Sequence, residues 1–371
     1  MQNNNKKKIC VITSSLDKGG AEKSSATLTN ILHNLGYDVH VVTILPQVEY
    51  QYSGTLYNLG ELTSTSNSFL GKLQKFKYLK KYLKAHDFKC IIDNRYRVLG
   101  YRELVFSKYL YKNFNVIYVL HNYVQEKTFT PYQWLNIFLY KNETFTAVSQ
   151  EISQRFKKKF QIHKMHTIYN AFDFEEIEQK ALITSGFENE VEKYIIFYGR
   201  IDDHHKNLKL LLDAYKESKL PKQDIKLLIL GDGDDYNTIV QYAKRLGLQQ
   251  DVVFKGFTAN PYPYVKNALF TMLTSRHEGL PMVIPESLAL ATPVISVDCT
   301  SGPKEVIVNK ENGLLVKNYD VNALAQAMNS FIFDNALYQH CKANAKQSVA
   351  KFSVENISKD WKKLIENLNE N

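Results

Sequence analysis

Two carboxylates and two cations carry the chemistry most readily read from this sequence. Glu278 and Glu286 stand with seven residues between them in the run Arg276-His277-Glu278-Gly279-Leu280-Pro281-Met282-Val283-Ile284-Pro285-Glu286. The run follows a short apolar stretch, 270–273, and its second half reads as the start of a helix. A helix start offers unpaired backbone N–H groups and the positive end of a dipole, which suits a phosphate. Pro285 agrees with that placement, because an early-turn proline gives up only an N–H that has no intrahelical acceptor. Arg200 closes another apolar stretch, 194–198, after Gly199, and Lys206 follows six residues later. Two cations at the C-terminal edge of an open parallel sheet can neutralise a departing diphosphate. The plainer alternative for Arg200 and Lys206 is a surface ion pair with Asp202 or Asp203.

Other candidates are less specific. His121 ends the apolar run 116–120, where it either caps the sheet edge or faces a ligand. His204-His205 beside Asp202-Asp203 has metal-ligand residue types. Adjacent side chains in a loop rarely converge on one ion, so no metal site is expected there. Asp232-Gly233-Asp234-Asp235 reads more simply as a turn. Asp93-Asn94-Arg95-Tyr96-Arg97 is either an exposed polar loop or a place where Arg95 and Arg97 meet a phosphate.

The elements that must position these residues alternate. Residues 8–16, KICVITSSL, read as a buried strand, followed by a turn at Lys18-Gly19-Gly20-Ala21-Glu22. A helix over about 21–35, a stop at Gly36 and a strand over 37–45 complete a β-turn-helix-β unit. Further strands are expected at 89–93, 115–120 and 144–148, then at 194–198, 226–230, 252–255, 270–273, 293–297 and 314–316. Helices are expected at 207–215, 237–246, 321–329 and 337–346. The pattern predicts an α/β chain of two Rossmann-like, doubly wound domains, 1–170 and 171–354, hinged near 170–172.

Composition agrees. The 371 residues are 44% hydrophobic and 23% charged, which suits two globular domains and excludes disordered and small disulfide-stapled classes. No run approaches about 20 apolar residues, and MQNNNKKKICVIT turns polar at Thr13 too soon for a signal peptide. Cys10, Cys90, Cys299 and Cys341 form no CxxC pair, which fits a reducing cytoplasm. Charge is uneven: residues 1–170 hold 24 Lys+Arg against 11 Asp+Glu, a balance of +13, whereas 171–371 hold 23 against 27, a balance of −4. The basic half suits nucleic acid, an anionic membrane surface or a phosphorylated substrate. Within it, residues 69–84 place Phe69, Leu73, Phe76, Leu79 and Leu83 on one helical face among six lysines. That helix either packs on its own domain or lies on an anionic membrane, and the cluster Arg155-Phe156-Lys157-Lys158-Lys159-Phe160 adds to the second reading.

Taken in order, the motifs resemble those of a retaining glycosyltransferase of family 4, with the GT-B fold. They are Gly19-Gly20-Ala21-Glu22, His121, Ala147-Val148-Ser149, Tyr169-Asn170-Ala171-Phe172-Asp173, Gly199-Arg200 with Lys206-Asn207, and Leu230-Gly231-Asp232-Gly233. Gly256-Phe257, Glu278 with Glu286, Ser301-Gly302-Pro303-Lys304-Glu305 and Asn312-Gly313-Leu314-Leu315-Val316 follow, so the set spans nearly the whole chain. The resemblance implies two domains facing across a cleft, with a C-terminal helix, about 355–371, crossing back to the first. It implies that Arg200 and Lys206 hold the donor diphosphate and that Glu286 takes the ribose hydroxyls. The backbone N–H groups of the run Gly279-Leu280-Pro281-Met282-Val283, and of Gly20, would complete the phosphate cradle. Glu278 and His121 would act at the transferred sugar, and Glu22, with Arg95 and Arg97, would lie near the acceptor.

The implied donor is a nucleotide sugar, a UDP-sugar by preference, used without a metal or other cofactor. The implied acceptor is a glycan or polyprenyl-diphosphate-linked oligosaccharide in bacterial surface polysaccharide synthesis. Gly19-Gly20-Ala21-Glu22 and Asn260-Pro261-Tyr262-Pro263-Tyr264 carry that substrate expectation. Such a chain would be cytoplasmic, in peripheral contact with the anionic inner-membrane surface. The competing readings are a nucleotide-sugar 2-epimerase of related fold and a basic nucleic-acid-binding protein. The acidic second half and the lack of a nucleic-acid motif count against the latter.

Overall fold

The computed structural model describes residues 6–17, 19–62, 69–183 and 192–369. Lys18 of the Gly-Gly turn, the first five residues, and 370–371 at the end of the expected C-terminal helix lie outside them. The chain divides into two compact units, 1–171 with 354–371, and 172–353.

The first unit is built on seven parallel strands: β1 (Lys8–Thr13), β2 (Asp38–Thr43), β3 (Thr55–Asn58), β4 (Phe88–Asp93), β5 (Val116–Leu120), β6 (Thr144–Ala147) and β7 (Lys164–Thr167). Their order is β3-β2-β1-β4-β5-β6-β7, so the direction of winding reverses between β1 and β4. Ile9 pairs with Val39 on one side of β1, and Ile12 with Asp93 on the other. Central strands such as KICVIT and VIYVL are nearly all apolar because helices cover both faces of a parallel sheet. Helix Gly20–Asn34 lays Leu28, Ile31 and Leu32 on this core. Helix Val354–Glu366 adds Ile357, Trp361, Leu364 and Ile365, a spacing that makes one helical stripe.

Helix Phe69–Ala85 packs part of its apolar stripe on its own domain, leaving Leu73 exposed. Leu79 and Leu83 are buried, and even Lys75 is drawn in, its Nζ donating to the Ile44 carbonyl at 3.0 Å. The inner part of the apolar stripe therefore packs on its own domain; the side chain of Phe69 lies outside the described residues. Among the described residues no helix is long and apolar enough to cross a membrane.

The second unit carries six parallel strands, β8 (Tyr194–Tyr198), β9 (Lys226–Leu230), β10 (Val252–Gly256), β11 (Thr271–Leu273), β12 (Val294–Asp298) and β13 (Gly313–Lys317). The order β10-β9-β8-β11-β12-β13 reverses between β8 and β11. Phe197, Ile229, Phe270 and Ile295 form its core with Leu211 and Tyr215 of helix Leu208–Glu217 and Met328 and Phe331 of helix Val321–Phe333. Both reversals leave loops diverging at the C-terminal strand ends, where such sheets bind ligands.

Candidate active site

In the second unit, the C-terminal ends of β8 and β11 bring the two halves of the charged motif together. Lys206 closes the single-turn helix Asp203–Lys206, capped by Asp202, whose carboxylate accepts from the His205 N–H at 3.1 Å. The turn is tied to the loop after β11: the Arg276 N–H donates to the His205 carbonyl at 2.8 Å, and Thr274 Oγ1 to the Lys206 carbonyl at 2.9 Å. His205 Nε2 donates to the His277 carbonyl at 2.7 Å. Held in this way, Lys206 Nζ donates to Glu278 Oε1 at 2.7 Å. Glu278 is buried. Burial alone would raise its carboxyl, but Lys206 and then His205 outweigh it and hold Glu278 below the usual carboxylate range.

Asp203 pairs with Lys209 at 3.2 Å, so Lys206 does not make the ion pair with its aspartate neighbours. Arg200 is exposed at the end of β8, and among the described residues its guanidinium has no hydrogen-bond or ion-pair partner. Among those residues, too, no three His, Cys, Asp or Glu side chains are grouped as metal ligands.

Glu286 lies on helix Val283–Ala289 and is buried. Tyr262 donates to its Oε1 at 3.2 Å. Tyr198 Oη stands 3.4 Å from Oε2 and donates to the Val283 carbonyl at 2.9 Å. Tyr262 thus holds the carboxylate while the Tyr198 hydroxyl is spent on Val283 beside it, and burial, then Glu286 itself, push the Tyr198 phenol well up.

Between the two glutamates, the chain from Gly279 to Val283 is pinned from below. Ser301 Oγ donates to the Gly279 carbonyl at 2.9 Å, and the Glu278 N–H donates to the Thr300 carbonyl at 3.0 Å. Gly302 sits beneath at φ +100°, and a Cβ there would stand 2.7 Å from Pro281 Cδ and 2.8 Å from the Gly279 carbonyl oxygen. Among the described residues, the N–H groups of Gly279, Leu280 and Val283 donate to no protein acceptor. Anchored carbonyls on one side and undonated N–H groups on the other make a surface suited to an anion.

In the first unit, Gly19 caps helix Gly20–Asn34 at φ +130°, and a Cβ on it would collide with the Glu22 carboxylate, which folds back over the cap. Gly20 is exposed. His121, past the end of β5, lies 2.8 Å through Nε2 from Asn94 Oδ1, so that nitrogen carries the proton and donates. Its Nδ1 is buried without a protein partner. Burial, then the Arg97 charge, push His121 down to about 3, so the ring is neutral.

Arg95 and Arg97 are corrections: the structure does not offer them to an acceptor. Both are buried. Arg95 makes a bidentate pair with Asp93 at 3.0 and 2.8 Å and stacks 3.8 Å over the Phe106 ring. Arg97 donates to the carbonyls of Arg95 at 2.7 Å and Val119 at 2.6 Å. Both guanidinium groups spend donors inside the domain, although Arg97 Nε is buried without a hydrogen-bond partner among the described residues.

Residues 18–176 match the model of Glycosyltransferase Family 4, and 178–348 that of Glycosyl transferases group 1. The chain belongs to the GT-B glycosyltransferases. The chain is 28% identical over 372 residues to the N-acetylgalactosamine-N,N'-diacetylbacillosaminyl-diphospho-undecaprenol 4-alpha-N-acetylgalactosaminyltransferase of Campylobacter jejuni, covering 96% of this chain and 99% of that one. It is 26% identical to the amylovoran biosynthesis glycosyltransferase AmsD of Erwinia amylovora, over 97% of this chain and 99% of the relative. The crystal structure of HepE from Anabaena, with UDP and glucose, superimposes with a TM-score of 0.77 at 20% identity, over 97% of this chain and all of that one. The second unit's site thus gains Tyr198, which the sequence reading does not name, and roles for Ser301 and Tyr262, which its motifs contain without one; in the first unit Asn94 gains a role as the partner of His121. Tyr198 carried a signal, being the last residue of the buried run YIIFY with a hydroxyl that must find an acceptor.

Proposed function

We propose that this glycosyltransferase moves a hexose or N-acetylhexosamine from a UDP-sugar to a glycan or polyprenyl-diphosphate-linked acceptor, with retention of configuration and without a metal ion. The observation that carries the proposal is the second unit's array: Lys206 locked to Glu278, Arg200 exposed two residues past the end of β8, undonated N–H groups at Gly279, Leu280 and Val283, and Glu286 held by Tyr262. Supporting the donor is HepE, solved with UDP and glucose. Supporting the acceptor are the Campylobacter relative, whose name specifies a diphospho-undecaprenol substrate, and the amylovoran enzyme.

In this reading the barrier is cleavage of the bond between sugar and diphosphate. Negative charge grows on the departing UDP while the sugar becomes oxocarbenium-like. Lys206 and Arg200 meet that charge, the N–H groups of the 279–283 loop add their dipoles, and no divalent ion is needed to neutralise it. Glu286 accepts from the ribose hydroxyls. Glu278 holds Lys206 in place and presents negative charge to the sugar. On the first unit, Gly20 and Glu22 open the helix that follows β1 and His121 follows β5; Gly20 is proposed for the donor phosphate, His121 for the transferred sugar and Glu22 for the acceptor.

A thermal-shift comparison of UDP, GDP and ADP, without and with a chelator, tests the donor site. UDP is expected to raise Tm with or without chelator, and Arg200→Ala and Lys206→Ala to abolish the shift. Donor hydrolysis should fall about 10²–10³-fold in either variant. Equal stabilisation of wild type and both variants would put the nucleotide elsewhere.

A further inference from the structure

The two arginines that turn inward in the first unit frame a pair of side chains, Asn94 and His121. Strands β4 and β5 are neighbours, with Asp93 opposite Tyr118, so the residues that follow them leave the sheet side by side. One guanidinium ties both exits. Arg97 donates to the Asp93 carbonyl at 3.3 Å, just before Asn94, and to the Val119 carbonyl at 2.6 Å, two residues before His121. The buried Asp93 carboxylate is itself spent on Arg95. The Asn94 N–H donates to the Ile12 carbonyl of β1 at 2.8 Å. Asn94 is buried, and its backbone is therefore held from two sides.

From that seat Asn94 Oδ1 accepts from His121 Nε2 at 2.8 Å. A neutral imidazole has one N–H and one lone pair, so a ring that donates through Nε2 must accept through Nδ1. Burial, then the Arg97 charge, keep a second proton off the ring. Nδ1 is buried, yet no protein group among the described residues donates to it. A buried acceptor without a donor is costly, so its partner is to be sought outside the chain. Ring and amide line one small cavity, and Ser24 in its wall donates to Asn170 at 2.8 Å and not to the ring.

We propose that Asn94 is a positioning residue: by taking the Nε2 proton it fixes the His121 tautomer whose Nδ1 accepts from a hydroxyl of the transferred sugar. The inference rests on the reading that His121 meets that sugar, and it adds how the contact is made. His121 is then neither a cation for the phosphates nor a proton donor, but a fixed acceptor that requires an O–H opposite it. The amide decides this. Turned over, with its NH2 toward Nε2, it would leave the imidazole proton on Nδ1, and the ring would demand an acceptor from the sugar instead. Arg97 serves the same end by tying the two loops and by its charge.

Two measurements test this. In protein with 15N-labelled histidine rings, assigned through His121→Gln, Nε2 should show the shift of a protonated nitrogen and Nδ1 that of an unprotonated one. Nδ1 should move on adding a UDP-sugar and stay in place with UDP alone. The sugar is whichever of UDP-glucose, UDP-galactose and their N-acetylamino forms is hydrolysed fastest. The second measurement is kinetic. Asn94→Leu removes the acceptor and should lower kcat for donor hydrolysis about tenfold, the contribution of one hydrogen bond, with KM little changed. Asn94→Asp still accepts from Nε2 and should match wild type at about pH 8. Its activity should fall faster than that of wild type toward about pH 5, because the added carboxylate favours the imidazolium, whose Nδ1 carries a proton and cannot accept. Both variants should keep the UDP-induced rise in Tm. The inference is overturned if Nδ1 carries the proton, if a UDP-sugar moves Nδ1 no more than UDP does, or if Asn94→Leu hydrolyses donor like wild type while His121→Gln is impaired. A His121→Gln enzyme as active as wild type would remove the reading of His121 at the sugar, and the inference with it.

Discussion

At the scale of single residues, each unit holds a candidate group whose charge is set by its surroundings. Glu278 is ionised because Lys206 lies 2.7 Å away. A carboxyl held below its unfolded value stabilises the fold above that value, about 4.3, and the contribution is lost as pH falls through the folded value. Glu278→Gln should therefore cost stability at pH 7, and the difference from wild type should shrink only below about pH 4.5, as read by urea midpoints across pH 7 to 3.5. His121 works in the opposite chemical sense. Its ring is pushed down to about 3, so the unfolded chain takes up a proton near pH 6.5 that the folded chain refuses. Stability is full above 6.5 and falls toward pH 3, at up to about 1.4 kcal/mol per pH unit. His121→Gln should flatten that slope between pH 6.5 and 4.5; an unchanged slope would mean that the imidazole is already charged in the fold. Residue scale is also where the sequence was least legible. Lys206 and Glu278 sit 72 positions apart, and only the motif set brought them to one site. Arg95 and Arg97 look like free cations in a list of residues. Their fate lay in Asp93 two positions earlier and in rings at 106, 118, 129 and 145, which become neighbours only in the folded chain.

At the scale of elements, apolar runs were enough to find the central strands, because a parallel sheet buried on both faces leaves an unbroken mark. The edges of the first sheet are not legible in that way, whereas those of the second, β10 and β13, are. TLYN of β3 and KMHT of β7 are four residues each and largely unburied, so they carry neither a run nor a clean alternation. The sequence motif marks the loop from Gly279 to Val283 as a candidate for phosphate, but it does not show what holds the loop. Gly302 is the clearest case: its backbone is left-handed, and a methyl group would push on Pro281 and the Gly279 carbonyl. Gly302→Ala is expected to destabilise the second unit by about 1–3 kcal/mol and to reduce or abolish the UDP-induced rise in Tm, because the anchored loop must shift. Gly36→Ala supplies the contrast. Gly36 also has a positive φ, +89°, but nothing lies within 4 Å of its added Cβ. It should cost only about 1 kcal/mol of backbone strain and leave the UDP shift intact. Matched losses of nucleotide binding in the two variants would remove the case for close packing under the loop.

At the scale of the whole chain, the second unit is an insertion in the first: 172–353 lies between 1–171 and the closing helix. The first unit therefore completes its core only when the last residues have been made. Trp361 contacts that core and is buried, as are Ile357, Leu364 and Ile365. The second unit has a separate cluster, from Ile195 to Cys341, with no residue of the closing helix in it. Stability should then be divisible. Trp361→Ala removes a large buried ring and should cost the first unit about 3–5 kcal/mol. Residues 172–353 keep every contact of their own core, and the Lys206–Glu278 pair with them. In thermal or urea unfolding followed by circular dichroism, the variant should show an early transition that UDP does not move and a later one that it does. The uneven charge gives a second handle on the assignment. With a balance of +13 in residues 1–170 and −4 beyond them, added salt should change the early transition more than the late one. A single transition that UDP raises as a whole in the variant would mean that the two cores share their stability despite having no side chains in common.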